Sequence, residues 1–310
     1  MIDQAEKLRN IINNLKSKSD DISSQNVDHS FTTEKIKVTS HAKVIAVTSG
    51  KGGVGKTSIT VNLAIALSQK GFRVVIIDAD LGLSNIDVVF GIVPQYSLMD
   101  SVNSEKSLLD ILCDGPSNIK FISGGSGVQE LVNLDKNSIE AFIANMSQLD
   151  NIADYILIDT GAGLSDTVMN FVLSAEEVLL VITPEPTSIT DAYALVKTVS
   201  RISKDCMIKV LINRADDENE AKSVYNNFAM VADRFLGMKL DTLGYLPNDQ
   251  FFTKSVKLQK PYLISYPKNF TSKLINDIAD SIAKKDLNQY NVTQPGIKGF
   301  LNRFVGLFTN

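Results

Sequence analysis

Residues 50–57 read Gly50-Lys51-Gly52-Gly53-Val54-Gly55-Lys56-Thr57. Glycines so closely spaced let successive backbone N–H groups curl around an anion without Cβ clashes. A lysine followed by a hydroxyl then completes a phosphate cradle. Lys56 is expected to reach β- and γ-phosphates, Thr57 to ligate Mg²⁺, and Ser58 to extend the same turn. Two further stretches carry acidic groups at the ends of apolar runs. Val74-Val75-Ile76-Ile77 leads into Asp78-Ala79-Asp80, and Tyr155-Ile156-Leu157-Ile158 leads into Asp159-Thr160-Gly161-Ala162-Gly163. Such carboxylates either serve a site beyond the strands or merely end them.

These groups need a scaffold that brings strand ends together. Val44–Thr48 reads as an apolar strand. Lys56–Lys70 reads as a helix with Ile59, Leu63, Ala66 and Leu67 on one face, stopped by Gly71. Further strands are expected at Arg73–Asp78, Ile119–Ser123, Asp154–Asp159, Glu177–Thr183, Met207–Asn213 and Thr242–Leu246. Helices are expected near 136–149, 165–175, 187–203, 216–236 and 268–287. Apolar strands alternating with helices imply an α/β fold, a mostly parallel sheet covered by helices on both faces. The phosphate turn then lies directly after a strand and opens a helix, where helix dipole and free N–H groups favour an anion.

Composition allows this and narrows the function. The chain has 310 residues, 44% of them hydrophobic, and a formal net charge of −4. That balance suits a globular protein with one large core and does not mark a dedicated or sequence-specific nucleic-acid binder. The two cysteines, Cys113 and Cys206, form no CxxC pair and read as reduced thiols. Neither a signal peptide nor a run long enough to span a bilayer is evident, so a cytoplasmic location is expected unless something tethers the chain.

Lys51 sharpens the reading. The string KGGVGKT resembles the deviant Walker A of the MinD/ParA family of P-loop NTPases, in which the additional lysine reaches the partner's nucleotide across a dimer interface. The resemblance implies ATP and Mg²⁺ as cofactors, a homodimer formed around ATP, and Lys51 as a catalytic charge supplied in trans, alongside Lys56. It implies that Asp80 positions the attacking water, that Asp78 supports the metal or its waters, and that Asp159, on a strand similar to Walker B, holds Mg²⁺. Asn213-Arg214 stands where the family reads adenine, the amide offering both donor and acceptor, with Pro247-Asn248-Asp249 flanking the pocket. The Thr183–Ser188 loop is either a proline-shaped helix start capped by Thr187 or Ser188, or a ligand contact.

The two ends differ from the rest. Ile297, Phe300, Leu301, Phe304, Val305 and Phe308 follow i, i+3, i+4, i+7, i+8 and i+11, one apolar helical face opposite Lys298, Asn302 and Arg303. Such a helix, over 297–310, suits an anionic membrane surface; a dimer presenting two would bind far better than a monomer. The alternative is packing against its own domain, and the polar stretch at 288–296 together with the phenylalanines favours the membrane. At the other end, residues 1–16 carry Ile2, Ala5, Leu8, Ile12 and Leu15 at helical spacing, followed by a polar, linker-like 17–42. Asp3-Gln4-Ala5-Glu6-Lys7-Leu8-Arg9 resembles the N-terminal helix of the FlhG (YlxH, FleN) branch, as do Thr160–Ser165 and Pro184–Tyr193. That resemblance implies stimulation of the SRP-type GTPase FlhF, with Gln4 entering its site and Asp3, Leu8 and Arg9 in the docking helix. It also implies flagellar C-ring proteins or a flagellar transcription activator as partners, and reversible residence at the inner face of the cell membrane. The ATPase domain is expected over 43–287. MinD-type division-site selection and ParA-type partition stand as alternatives within the family, while metal-cluster carriers on this scaffold need paired cysteines.

Overall fold

Strand residues alternate between two cores, which is what a sheet covered on both faces requires. In the computed structural model, Ile45 and Val47 face one core with Val74, Ile76 and Leu157, while Val44, Val75, Ile77, Ile156 and Ile158 face the other. The structure describes residues 41–80, 85–102, 106–124, 135–285 and 294–308. The expected helix at 1–16, with Asp3, Gln4, Leu8 and Arg9, and most of both expected linkers lie outside these residues.

In chain order the elements are β1 (Lys43–Ser49), α1 (Lys56–Gln69), β2 (Val74–Ala79), α2 (Ile86–Phe90), α3 (Leu98–Val102), α4 (Leu108–Ile111), β3 (Cys113–Asp114), β4 (Lys120–Ile122), α5 (Lys136–Met146), α6 (Leu149–Ile152), β5 (Tyr155–Ala162), α7 (Asp166–Ser174), β6 (Glu177–Ile182), α8 (Pro186–Ile202), β7 (Ile208–Ala215), α9 (Glu218–Leu236), β8 (Asp241–Pro247), α10 (Gln250–Lys257), α11 (Tyr262–Ser265), α12 (Phe270–Lys285) and α13 (Gly296–Phe308). The sheet order is β3-β4-β2-β5-β1-β6-β7-β8. Every pairing is parallel except β3 with β4, so the α/β reading holds. The phosphate turn and both acidic strand ends fall on the C-terminal edge of adjacent strands β1, β2 and β5, where open parallel sheets place ligands.

Helix α1 is the central helix of one face. Ile59, Leu63, Ala66 and Leu67 are buried as their spacing requires, but so are Val61, Ala64 and Ile65, because α12 and α11 cover its far side. Sequence periodicity missed the short helices α2, α3, α4, α10 and α11, each too short for an apolar stripe to repeat.

The terminal helix α13 packs on the domain, which was the lesser-favoured of the two sequence readings. Ile297, Phe300, Leu301 and Phe304 are buried in the core beside α5 and α7. Phe171 packs tilted against Phe304, ring centroids 4.6 Å apart, and stacks on Phe300 at 6.1 Å. Val305 packs on the same cluster, while the Phe308 side chain is outside the description. The "polar face" also needs correction. Arg303 is turned into the domain, donating from Nε to the Ser174 carbonyl (2.9 Å) and from Nη1 to that of Gln294 (2.8 Å).

On the opposite edge of the sheet from the phosphate turn, Glu177 accepts from Lys209 (2.5 Å) and Lys43 (3.0 Å). The Glu177 and Lys209 side chains are 1% and 0% exposed. Removing one member of such a pair strands the other charge. Glu177→Ala is therefore expected to cost about 3–5 kcal/mol in urea unfolding, with Glu177→Gln milder.

Candidate active site

The phosphate cradle is built by a helix start that satisfies nothing internally. Gly55 is the N-cap of α1 at φ 98°, ψ 18°, a left-handed conformation that glycine adopts without penalty. A Cβ there would stand 2.7 Å from the Asn213 amide nitrogen. The cap offers no side-chain acceptor and the first turn holds no acidic residue, so the leading N–H groups of α1 are suited to an external anion. Gly52 and Gly53 lie exposed at the mouth, Val54 is buried, and Thr57 and Ser58 are half-buried.

Lys56 and Asp159 form the electrostatic centre. The Lys56 side chain is buried, which pulls its pKa down, while Asp159 and Asp80 oppose that shift. Asp159 is fully buried, and burial pushes its carboxyl up to about 7, the neighbouring Asp78 charge adding to this and Thr57, Lys56 and Thr60 opposing it. Its Oδ1 accepts from Thr60 (3.0 Å), whereas Oδ2 is buried with no hydrogen-bond partner in good geometry. An orphaned carboxylate oxygen beside Thr57, on an oxygen-only donor set, fits Mg²⁺. Thr57 and Asp159 are the residues that would hold it, directly or through water.

Asp78 holds backbone in addition to the role expected of it. It is completely buried, and its carboxylate accepts from the backbone of Asn85 (2.9 Å), Ile86 (3.2 Å) and Asp80 (3.2 Å). It ties down the backbone at Asp80, Asn85 and Ile86. Its second effect is the negative charge it places near Asp159. Asp80 is half-buried, and its Oδ2 accepts from the Asn85 amide (3.3 Å). Asp78 thus also holds the backbone of Asp80.

Lys51 is folded back within its own chain. Nζ donates to Glu185 Oε2 (2.9 Å) and to Thr187 Oγ1 (2.8 Å). The ammonium holds the Glu185 carboxyl below the usual carboxylate range. The Thr183–Ser188 loop thus has a use that neither sequence alternative named. Pro186 opens α8 with Glu185 as N-cap, Ser188 Oγ accepts from Thr183 N (3.0 Å), and Thr187 faces the lysine.

Beside the cradle a cleft of ≈ 820 Å³ is lined by Ser58, Pro184, Asn213, Arg214, Pro247 and Phe252 among others. That is ample for a nucleoside. Asn213 does not offer its whole amide to a base, since Nδ2 donates to the Val54 carbonyl (2.7 Å). The residue pins the phosphate turn and keeps Oδ1 and its second N–H for the cleft. Arg214 is exposed, with φ 59°, an unusual conformation for its type. Asp249 was seen only as a flanking residue. It accepts from Tyr262 Oη and from Thr271 Oγ1 (2.9 Å), fixing the floor of the cleft to α12. Thr60 was missed; a hydroxyl inside an apolar helix was the one available signal for it.

The chain matches the ParA family model, described as NUBPL iron-transfer P-loop NTPase, over residues 40–283. It is 40% identical to antiactivator FleN of Pseudomonas aeruginosa over 240 residues, covering 77% of this chain and 86% of that one. It is 32% identical to flagellum site-determining protein YlxH of Helicobacter pylori over 297 residues, 95% and 99% of the two chains. The chain belongs to the FlhG (FleN, YlxH) branch of the MinD/ParA family. The fold agrees: the MinC:MinD cell division complex of Aquifex aeolicus superposes with a TM-score of 0.64 at 25% identity, covering 82% of this chain and 100% of that chain. Membership in this ATPase family makes the cradle an ATP site and Mg²⁺ its metal. The iron-transfer wording belongs to the family model alone; Cys113 and Cys206 stand far apart in the sequence and form no CxxC.

The perturbed carboxylate gives a test with a defined sign. Free aspartate titrates near ~3.9, below the folded value of about 7 for Asp159. Nucleotide-free protein should lose stability as pH rises from about 4 towards 7, and no further above that. Asp159→Asn should remove this slope and raise the melting temperature of the nucleotide-free protein, while Mg²⁺-dependent ATP binding is lost in calorimetry.

Proposed function

We propose that this protein is a switch ATPase of flagellar biogenesis: ATP joins two copies, frees the terminal helix for the membrane, and hydrolysis reverses both. The flagellar setting follows from the names antiactivator and flagellum site-determining protein carried by its relatives. The observation that carries the switch is a continuous path from phosphate site to α13. Gly163 N donates to Ser49 O (3.0 Å), tying the loop after Asp159 to the strand that opens the phosphate turn. That loop runs into α7, whose N-cap Ser165 accepts from Val168 N (3.4 Å). Phe171 and Ser174 of α7 are then the residues on which Phe304 and Arg303 rest. A change at the γ-phosphate displaces this loop, and α7 carries it to the docking surface.

Energetics favour a switch at this place. Four large apolar side chains of α13 are buried, each contributing about 2 kcal/mol before ordering costs. A lipid interface re-buries the apolar face of α13 but leaves the surface beneath it uncovered, so release needs a shift in α7 that weakens the docking. No helix among the described residues is long and apolar enough to cross a membrane, which suits surface residence.

In this reading Lys51 leaves Glu185 and Thr187 on dimerisation to meet the partner's nucleotide. Lys56 binds the β- and γ-phosphates, and Asp80 orients the attacking water and accepts its proton. Magnesium, when bound, neutralises phosphate charge. Residues 1–16 stimulate an FlhF-type GTPase, Gln4 entering its site while Leu8 and Arg9 dock.

With a non-hydrolysable ATP analogue and Mg²⁺, wild type should run as a dimer in light scattering. Lys56→Ala should bind no nucleotide, and Lys51→Ala should bind it yet turn over at least about tenfold more slowly. A Lys51→Ala protein matching wild-type turnover would sink the trans-acting lysine. Under the same conditions wild type should float with anionic liposomes, whereas Phe300→Asp/Phe304→Asp should stay behind although its helix is undocked. A peptide of residues 1–16 should accelerate FlhF GTPase, and protein lacking them should not.

A further inference from the structure

The contacts at the start of α13 reach further than the helix itself. Asp150, on the short helix α6, is the acceptor for two amides from opposite ends of the chain. Its Oδ1 takes Ile297 N (3.1 Å), the first turn of α13, and Ala42 N (3.1 Å), immediately before β1. Its Oδ2 lies 3.8 Å from His41 Nδ1. Gly296 makes this convergence possible: φ is 83°, and a Cβ there would stand 2.6 Å from Asp150 Oδ1. The adjoining amide, Gly296 N, goes to Glu176 Oε1 (2.9 Å). Ala42 and Ile297 are both fully buried, in one cluster.

We propose that Asp150 couples the two chain ends, so that drawing residues 41–42 off the domain loosens the terminal helix, and undocking the helix loosens residues 41–42. The physical reason is a shared ordering cost. A carboxylate already oriented by one amide loses less rotational freedom in accepting the second, so each contact strengthens the other. Coupling of this kind is reciprocal. A partner that binds the segment before β1 therefore biases the protein towards the form with α13 free, on the same side of the balance as ATP. Asp150 acts here as a positioning residue at the sheet edge opposite the nucleotide. The functional consequence rests on the reading that freed α13 meets lipid; the coupling itself does not.

Hydrogen exchange on the full chain, without nucleotide or lipid, tests it. Asp150→Asn should speed exchange about tenfold at both Ala42 and Ile297. Two variants that leave Asp150 intact decide the coupling. Ala42→Pro removes one donor and should raise exchange across 297–304 by about fivefold. Phe304→Ala loosens α13 from its far end and should raise exchange at Ala42 by about the same factor. Exchange in strand β5 serves as the control for global folding; if Ala42→Pro fails it, the Phe304→Ala arm decides alone. Ends that respond independently, each variant altering only its own side, would overturn the proposal. Liposome flotation of the same variants separates the two readings: reciprocal loosening without added lipid binding keeps the coupling and removes the membrane role.

Discussion

A negative charge buried at the end of β5 organises this protein. Asp159 is surrounded by protein on every side, flanked by the hydroxyls of Thr57 and Thr60, and faces the buried ammonium of Lys56. Neither charge is comfortable without a counter-charge of the right shape. Phosphate and divalent cation together supply one. The parallel sheet makes the arrangement possible, because β1, β2 and β5 are neighbours and each delivers its chemistry at the same edge. Asn213 pins Val54, and Asp78 pins Asn85 and Ile86, which fixes backbone beside the site.

The opposite edge of the sheet is built from charge as well, but for holding rather than for chemistry. Glu177 with Lys43 and Lys209, Arg73 with Asp154, and Glu176 and Asp150 at the start of α13 all lie at strand beginnings or the loops leading into them. Ligand chemistry gathers at one pole, and residues 42–43 and 296–297, which lead into β1 and α13, at the other. Helix α7 is the element that connects them, starting from the loop after Asp159 and ending under Arg303.

Much of this was legible in the residues. The phosphate turn, the acidic strand ends and the order of long strands and helices follow from glycine spacing and apolar runs, and the structure places them as read. What escaped shares one cause: it depends on partners distant in sequence. Glu185 lies 134 positions from the lysine it holds. Sequence reports the charge of Asp78 but not the backbone amides it also holds. The face of α13 was correctly assigned as apolar. Periodicity fixes which side of a helix avoids water, yet says nothing about whether lipid or protein does the covering. Arg303 was misread as an exposed cation for the same reason, since the carbonyls it serves belong to α7 and to the turn before its own helix.

The docked helix has a consequence for handling and for turnover in the cell. Beneath it lie Ile77, Leu98, Phe142, Met146, Ile158 and Phe171, a greasy trough lined by β2, β5, α3, α5 and α7. A chain clipped before Gly296 would bare that trough permanently, as would one caught between synthesis of α7 and of α13. The tail is thus a stopper that keeps the molecule dispersed in water, and any excursion to a bilayer must leave the trough pressed against something, or be brief.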